Sequence, residues 1–400
     1  MITEEVITSK PNTCPVCSSQ DVYIFIEMLQ VPVHCNVLWL TREEALRAPR
    51  ADLRLGFCKV CGHVYNFAFN PDDMEYTQDY ENSLHFSPRF QEYVKSLATR
   101  LIDQHDLHNK DIIEIGCGKG EFLTMLCEFG GNRGVGFDSS YEDERTGNKS
   151  TKNINFIRDF YSERYAGYKA DAICCRHVLE HIKSPFDFLT DLRNVIGDRL
   201  DTKIFFEVPN FMFTLNDLGI WDLIYEHCSY FSVCSLAQVF HSCRFKVVNL
   251  TEAFEGQFLW IEALPVGDLA YSKREYRDYY KKMAYDVTVF AERYRDKVDA
   301  WHSEIKKIVN KGDRAVIWGS GSKGITFLNK INTQGQIEYV VDINPHKHGK
   351  YVSGTGQKIV PPEFLRKYQP DIIIVMNPIY LDEIRQITES MNITAKFVKT

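Results

Sequence analysis

A glycine-rich turn between a strand-like run and a helix-like run constrains this chain more than any other feature. The apolar run Asp111 to Ile115 leads directly into the loop Gly116 to Gly120, and a helix-like stretch begins at Glu121. Glycines at such a turn let the backbone approach a ligand, and the first turn of the helix offers free N–H groups. The loop therefore predicts a ligand site, although a turn that binds nothing is the plainer alternative.

An acidic residue at the end of the next strand indicates what kind of ligand the loop binds. The apolar strand from Gly134 to Phe137 is followed by Asp138, eighteen residues after the last glycine of the loop. A carboxylate in that place can accept hydrogen bonds from both hydroxyls of a ribose. The loop and Asp138 together predict a nucleoside cofactor.

The length of the chain and its alternating strand-like and helix-like runs predict an α/β protein of several domains. A chain of 400 residues exceeds one ordinary domain. We expect a cysteine-rich module over residues 1–80 and an α/β domain with a parallel sheet over 81–268. Residues 269–400 are expected to form a long helix, between Tyr271 and Asn310, and a second, smaller α/β domain.

A second glycine loop lies in the last third of the chain. Gly319, Gly321 and Gly324 form a G-x-G-x-x-G pattern between a strand-like and a helix-like run, and Asp342 ends the next strand. This is the spacing of a dinucleotide-binding fingerprint. The same N–H groups, together with Lys323, can instead hold the phosphates of a nucleotide sugar, which is the use we favour. A ligand-free domain that only supports the central one is the third possibility.

Two C-x-x-C pairs predict a metal site in the first module. Cys14 and Cys17 form one pair and Cys58 and Cys61 the other, each beside a turn-forming residue. Four thiolates close a tetrahedral zinc site and leave no open position, so the zinc would be structural. His34, Cys35 and His63 are spare candidates, and two unrelated pairs of buried or redox-active thiols are the alternative.

Composition excludes several other classes of function. The net charge of −7 and the isoelectric point near 6.0 give no electrostatic reason to expect a nucleic-acid partner. The sequence has no apolar run of membrane-spanning length and no apolar N-terminal signal. We therefore expect a cytoplasmic protein that acts on a small molecule, as a monomer or a weak homodimer.

The first glycine loop reads E-x-G-x-G-x-G, whereas loops that bind a pyrophosphate usually read G-x-G-x-x-G. This pattern resembles class I methyltransferases, which bind S-adenosylmethionine. The resemblance implies that Glu114 lies near the amino-acid end of the cofactor and that Asp159 lies near its adenine. The segment from Arg176 to His181 looks like the N-V-L-E-H segment of those enzymes, which flanks the reacting sulfonium. The expected cofactor-binding residues are Glu114, Gly116, Gly118, Gly120, Asp138, Asp159, Phe160 and His177.

A run of polar and aromatic residues from Trp221 to Ser232 is expected to line a pocket. A carbon or hydroxyl nucleophile must lose a proton before methyl transfer, and histidine is the natural base. We expect His227 and His181 as base candidates, Tyr225 and Glu226 as orienting or relaying groups, and Tyr76 or Tyr80 reaching in from the first module. A structural pair of His227 and Glu226 with packing tyrosines is the alternative.

The two cysteine pairs, EIGCGKG, FFEVPN, YEHCSYFS and GSGSKG together resemble the three-domain sugar C-methyltransferases that act on nucleotide-linked deoxyketosugars. The resemblance spans nearly the whole chain. It implies structural zinc, bound S-adenosylmethionine, a nucleotide sugar held by the last domain, and a histidine–tyrosine cluster that enolises a ketone. The expected substrate-binding residues are Asn210, Tyr230, Gly319, Gly321, Lys323 and Gly324.

Two departures from the family pattern concern the acceptor. The family's Tyr-x-Glu-His segment is Ile224-Tyr225-Glu226-His227 here, so the tyrosine is displaced by one residue, and the family's Tyr-x-Tyr-Phe-Ser-Ser stretch is reduced to Tyr80-Glu81-Asn82-Ser83. We expect methylation of carbon on a nucleotide-linked ketosugar or a related small metabolite. An O-methyltransferase acting on a sugar or natural-product hydroxyl, an NAD-dependent oxidoreductase using the second glycine loop, and a non-catalytic zinc adaptor are the alternatives.

Overall fold

The computed structural model describes residues 13–74, 80–142, 153–267, 277–331, 333 and 335–400. Within those residues no helix combines the length and the apolar composition needed to cross a membrane. The first segment contains β1 (Val22–Pro32), α1 (Arg42–Leu46), β2 (Arg50–Cys58) and β3 (Val64–Asn66). These strands form an antiparallel meander.

The central segment alternates strands and helices as the sequence predicts. Its elements are α2 (Pro88–His105), β4 (Asp111–Ile115), α3 (Glu121–Gly130), β5 (Arg133–Phe137), β6 (Ile154–Ile157), β7 (Ala172–Arg176), α4 (Pro185–Ile196), β8 (Lys203–Pro209), α5 (Phe211–Asn216), β9 (Ser229–Tyr230), α6 (Val233–Ser242), β10 (Phe245–Ala253) and β11 (Phe258–Pro265). Seven of these strands form one sheet in the order β10-β11-β8-β7-β4-β5-β6. Strands β6, β5, β4, β7 and β8 are parallel, and β11 and β10 add an antiparallel hairpin. This is the Rossmann-like sheet of class I methyltransferases.

The last segment is a second α/β domain preceded by a long helix. Its elements are α7 (Arg277–Lys311), β12 (Ala315–Trp318), α8 (Ser322–Ile331), β13 (Tyr339–Val341), β14 (Lys358–Val360), α9 (Leu365–Tyr368), β15 (Ile372–Val375), α10 (Leu381–Ser390) and β16 (Lys396–Lys399). The five strands form a wholly parallel sheet in the order β14-β13-β12-β15-β16. The second α/β fold is confirmed, and so is the long helix from Arg277 onward, whereas its expected first residues, 271–276, lie outside the described residues.

The helix α7 joins the first and last segments. Its buried apolar residues recur every three or four positions and belong to one core together with strands β1 to β3 and the C-terminal sheet. These residues are Met283, Val287, Phe290, Tyr294, Val298, Trp301, Ile305 and Ile308. A continuous apolar stripe of this kind stabilises the helix by tertiary packing rather than by local propensity.

The first sheet crosses the expected boundary at residue 80. Strand β9, which lies in the central segment, pairs with β3 through Tyr230 opposite Val64 and Ser229 opposite Tyr65. The first segment therefore packs directly on the chain that contains His227. The other expected boundary, between residues 268 and 269, lies outside the described residues.

Candidate functional site

A cavity of about 840 Å³ lies between the three sheets. Its walls include the loop after β4, the ends of β5 and β7, the Trp221–Ser232 segment, and the second glycine loop. Ligands of open parallel sheets bind beyond the carboxyl ends of the strands, which is where this cavity lies. Ligand pockets commonly have volumes of ~300–1,000 Å³, so the cavity has room for a nucleoside cofactor and a second molecule.

The first glycine loop faces this cavity. Gly116 and Gly118 have φ of 70° and 55°, in the left-handed region that favours glycine. A Cβ placed on Gly116 would lie 2.1 Å from a methyl of Val178, whereas one on Gly118 would meet no described atom within 4 Å. The backbone at Gly116 is thus packed against the protein, and the backbone at Gly118 is open to a ligand.

Asp138 is held in place by the loop that it faces. One carboxylate oxygen accepts a 2.8 Å hydrogen bond from the Gly118 N–H, and the other accepts bonds from the N–H and the hydroxyl of Ser140. These bonds fix the orientation of the carboxylate and occupy three of its roughly four lone-pair sites, so the oxygen bonded to Gly118 keeps one for another donor. That site fits a contact with a ribose hydroxyl.

Glu114 lines the deep end of the cavity and is 2% exposed. Its Oε2 has no hydrogen-bond partner in the described part of the chain. Burial raises the pKa of Glu114 to about 8, against the opposing charge of Arg176. A buried carboxyl group with an unused oxygen fits the ammonium group of a methionine moiety.

Asp159 and Phe160 also line the cavity. Asp159 accepts hydrogen bonds from the Phe160 N–H at 2.8 Å and from the Tyr165 hydroxyl at 2.5 Å. The Phe160 side chain is 65% exposed, unusual for so large an apolar group. An exposed ring beside an oriented carboxylate fits a purine, as the sequence predicts.

A buried charged network supports the strand that leads to His177. Glu207 is fully buried, and Arg176 donates to its Oε1 at 2.9 and 3.2 Å. The Tyr93 hydroxyl donates to the other oxygen, and His177 Nε2 lies 2.9 Å from Oε1. Burial opposes the charge on Glu207, but Arg176 and His177 prevail and lower its pKa to about 2. Sequence reasoning missed Glu207, although an acidic residue inside the apolar run FFEVPN was a usable signal.

The two expected base candidates, His181 and His227, lie close together in the wall of the cavity. The His181 and His227 rings are edge-to-face with centroids 4.9 Å apart, and His181 Nδ1 lies 3.0 Å from the Glu226 carbonyl oxygen. Glu226 is fully buried, and its carboxylate accepts a 2.5 Å bond from the Tyr80 hydroxyl and another from the Cys35 N–H. Burial lowers the pKa of His227 well below its ordinary value, so the ring is neutral near pH 7.

Other expected site residues are directed elsewhere by their hydrogen bonds. The Tyr225 hydroxyl donates to Asp73 at 3.0 Å and accepts from the Asn70 N–H at 2.9 Å, and the residue is absent from the described cavity walls. The Tyr230 hydroxyl bonds both the N–H and the carbonyl of Ile224. Tyr225 therefore connects the first segment to the central one, whereas the Tyr230 hydroxyl closes a local turn, although the residue lines the cavity.

Asn210 lies at the cavity wall, but its side chain caps α5 and donates to the Gly256 carbonyl at 2.8 Å. Its polar atoms are thus engaged within the protein. Tyr76 lies outside the described residues.

The second glycine loop also faces the cavity, with an unexpected partner for its lysine. A Cβ on Gly321 would meet no described atom within 4 Å, whereas one on Gly324 would collide with the Gly319 carbonyl. Lys323 forms an ion pair with Asp222 of the central segment. Asp342 accepts bonds from the N–H and the hydroxyl of Ser320. The loop is open at Gly321, but its cation is already neutralised.

The four cysteines of the two C-x-x-C pairs converge as expected. The sulfurs of Cys14 and Cys61 are 3.5 Å apart and those of Cys17 and Cys58 3.6 Å apart, and all four lie within 4.8 Å of one another. A tetrahedral ion with Zn–S bonds of ~2.3 Å separates its sulfurs by about 3.8 Å. The four side chains therefore fit a structural zinc ion, which would hold the turn before β1 against the end of β2 and the turn before β3.

Comparison with known proteins agrees with this architecture. Residues 87–250 match the family described as a methyltransferase domain, and residues 270–400 match the C-methyltransferase C-terminal domain. The C-methyltransferase NovU of Streptomyces niveus is 24% identical over 317 residues, covering 73% of this chain and 72% of the relative. A mitochondrial ubiquinone biosynthesis O-methyltransferase of Dictyostelium discoideum is 26% identical over 106 residues, which are 22% of this chain and only 33% of that relative.

Solved structures match a little under half of the chain at low overall similarity. The dimethyltransferase RosA of Streptomyces davawensis has a TM-score of 0.36 at 17% identity, covering 44% of this chain and 56% of that one. The magnesium protoporphyrin IX methyltransferase of Synechocystis, solved with bound S-adenosylhomocysteine, has a TM-score of 0.35 at 14% identity, covering 44% and 84%. The chain thus combines a methyltransferase domain over residues 87–250 with a C-methyltransferase C-terminal domain over residues 270–400, and in this pair of domains it is similar to the three-domain sugar C-methyltransferases.

Proposed function

We propose that this protein transfers the methyl group of S-adenosylmethionine to a carbon atom beside a ketone of a small acceptor, a nucleotide-linked ketosugar or a related metabolite. One observation carries the proposal: a single cavity contains both the cofactor loop and the imidazole pair of His181 and His227. A carbon acceptor needs a base to remove its proton, and this pair is placed to serve. When bound, S-adenosylmethionine supplies an electrophilic methyl group on a positively charged sulfur.

The chain's own residues would prepare the acceptor for this transfer. His227, neutral because burial lowers its pKa, accepts the proton from the carbon beside the ketone. The electron pair of that C–H bond then forms the enolate, whose carbon bonds to the methyl group while the C–S pair returns to sulfur. Holding donor and acceptor carbon in line supplies much of the rate. The proton ends on the imidazole.

The buried pair of Tyr80 and Glu226 would position this cluster. Tyr80 lines the cavity and donates to Glu226, whose own carbonyl oxygen lies beside His181 Nδ1. Because Tyr80 lines the cavity and Tyr225 does not, Tyr80 is the phenol we assign to the acceptor site among the described residues. Tyr225 is therefore proposed as a residue that holds the first segment on the central one.

The second glycine loop would hold the distal part of the acceptor. Gly321 is open to the cavity, and the free N–H groups at the start of α8 suit a phosphate. Lys323 would contribute only when the phosphate competes with the Asp222 carboxylate for its ammonium group. The strength of phosphate binding is thus set by the ion pair between the two domains.

Hydrogen–deuterium exchange tests the proton transfer separately from the methyl transfer. Ketosugar nucleotides are incubated in D₂O with the protein and S-adenosylhomocysteine, which cannot donate a methyl group, and exchange at the carbon beside the ketone is followed by NMR. We expect exchange with the wild-type protein, its loss in His227→Gln, and its retention in the control His108→Gln, since His108 is exposed on the surface. With S-adenosylmethionine present, a product methylated on oxygen would contradict carbon transfer.

A further inference from the structure

Three side chains at the acceptor end of the cavity form a set of potential metal ligands distinct from the four cysteines. Glu180 and His181 belong to the 3₁₀ turn that follows β7, and His227 precedes β9. One potential ligand atom from each lies within 4.8 Å of the other two, and all three residues line the cavity. The set combines two imidazoles with one carboxylate.

Glu180 provides the strongest indication that this set binds a cation. Its side chain is 2% exposed, and its Oε2 has no hydrogen-bond partner among the described residues. The Nδ1 of His177 lies 3.6 Å from the other oxygen. A buried carboxylate oxygen without a partner is costly, and a bound cation would satisfy it.

The surroundings of His181 also match those of a metal-binding imidazole. Its Nδ1 lies 3.0 Å from the Glu226 carbonyl oxygen, which can only accept, so Nδ1 carries the proton. In the neutral ring the lone pair is therefore on Nε2. Histidines that bind metals commonly donate their other ring nitrogen to a carbonyl or carboxylate in this way.

We propose that Glu180, His181 and His227 form a binding site for a first-row transition-metal ion, and that a bound ion blocks proton transfer to His227. Two imidazoles and one carboxylate suit Zn²⁺, Co²⁺, Ni²⁺ or Fe²⁺. In a tetrahedral site with bonds of ~2.1 Å, two ligand atoms lie about 3.4 Å apart. The three ligand atoms here lie within 4.8 Å of one another, so they need to approach by little more than an ångström to bind an ion. A neutral imidazole has one ring nitrogen with a free lone pair, so His227 cannot accept a proton while that nitrogen binds the ion.

Cobalt binding tests the site without any acceptor. Protein with its four-cysteine site filled by zinc is titrated with Co²⁺, and visible absorption without a thiolate-to-cobalt charge-transfer band reports a site of nitrogen and oxygen ligands. We expect one such ion per chain. Glu180→Gln and His227→Gln should each weaken Co²⁺ binding. The loss of affinity should exceed the roughly 10- to 100-fold loss that follows removal of a hydrogen-bonding partner of a metal ligand.

The matched controls are Glu128→Gln and His108→Gln, which alter exposed residues and should leave Co²⁺ binding unchanged. Binding of S-adenosylhomocysteine by every variant verifies that each one is folded. Failure of the wild-type protein to bind Co²⁺ at this site, or equal binding by the Glu180 and His227 variants, would overturn the proposal.

The proposed block of proton transfer rests on the proposed function and is tested by the hydrogen–deuterium exchange reaction. Zn²⁺ should suppress the exchange reaction in competition with the acceptor, and a chelator too weak to remove the cysteine-bound zinc should restore it. An ion that binds but accelerates exchange would refute the blocking role. Absence of exchange even in metal-free buffer would instead count against His227 as the base, which the cobalt titration does not depend on.

Discussion

Cofactor binding should release a proton from Glu114. With a pKa of about 8, this buried carboxyl group holds on the order of 0.9 proton at pH 7 before the cofactor binds. A methionine ammonium beside its unused Oε2 would stabilise the charged carboxylate and return the pKa toward its ordinary range. Binding of S-adenosylhomocysteine at pH 7 should thus release close to one proton per site.

Calorimetric titration in buffers of different ionisation enthalpy measures this release directly. The apparent binding enthalpy should vary linearly with the buffer enthalpy, with a slope near −0.9 for the wild-type protein, on the order of the proton occupancy above. Glu114→Gln should bind with a slope near zero, whereas Glu128→Gln, altered at an exposed residue of the same helix–loop region, should keep the wild-type slope. A flat wild-type response, or an unchanged slope in Glu114→Gln, would refute the assignment.

The same raised pKa makes a prediction for stability without ligand. A carboxyl group whose pKa is raised on folding favours the folded state below the unfolded pKa of 4.5, and this contribution is lost as the pH rises toward about 8. Relative to that of Glu114→Gln, the free energy of unfolding of the wild-type protein should fall by about 1.4 kcal/mol for each pH unit of increase in that window. Urea unfolding of both proteins at several pH values measures the difference, and parallel curves would contradict it.

Three further substitutions test other parts of the structure. Cys58→Ser should lose the zinc ion detected by elemental analysis and lower the melting temperature, whereas Cys243→Ser, outside the four-cysteine set, should keep the ion. Asp138→Ala should weaken S-adenosylhomocysteine binding by about 10- to 100-fold in calorimetry, because each hydrogen bond to a charged group contributes about 1.5–3 kcal/mol; unchanged affinity would exclude the ribose contact. Arg176→Met should lower the free energy of unfolding by about 3–5 kcal/mol in urea, because Glu207 would remain buried without its counter-charge; a loss below 1 kcal/mol would contradict this.

The sequence predicted the parts of the site that follow from local backbone rules. The strand–turn–helix at Gly116 to Gly120, the acidic residue after β5 and the convergence of the four cysteines all lie where the spacing placed them. Each of these features depends on residues close together in the chain or on the fixed edge of a parallel sheet. The extent of α7 was predictable for the same reason, since its apolar stripe has the helical period.

The sequence did not reveal which polar side chains reach the cavity. Tyr225 and Tyr230 stand in the same run as His227, yet their hydroxyls bond Asp73 and Ile224. Glu180 lies in the Arg176–His181 segment without a pattern of its own, and no pattern marks Asp222, although its carboxylate pairs with Lys323 across two domains. The direction of each side chain depends on partners about 100 or more residues away for Tyr225 and Asp222.

The sequence alone therefore determined the class of fold, the cofactor loop and the four-cysteine site, because periodicity, glycine and turn chemistry act over a few residues. Only the tertiary structure decided that β9 joins the first sheet, that Tyr80 bonds the Glu226 carboxylate whereas Tyr225 bonds Asp73, and that the second glycine loop has its lysine already paired. These arrangements arise when three sheets pack around one cavity. Long-range packing then selects, among many chemically suitable residues, the few whose side chains face the ligand.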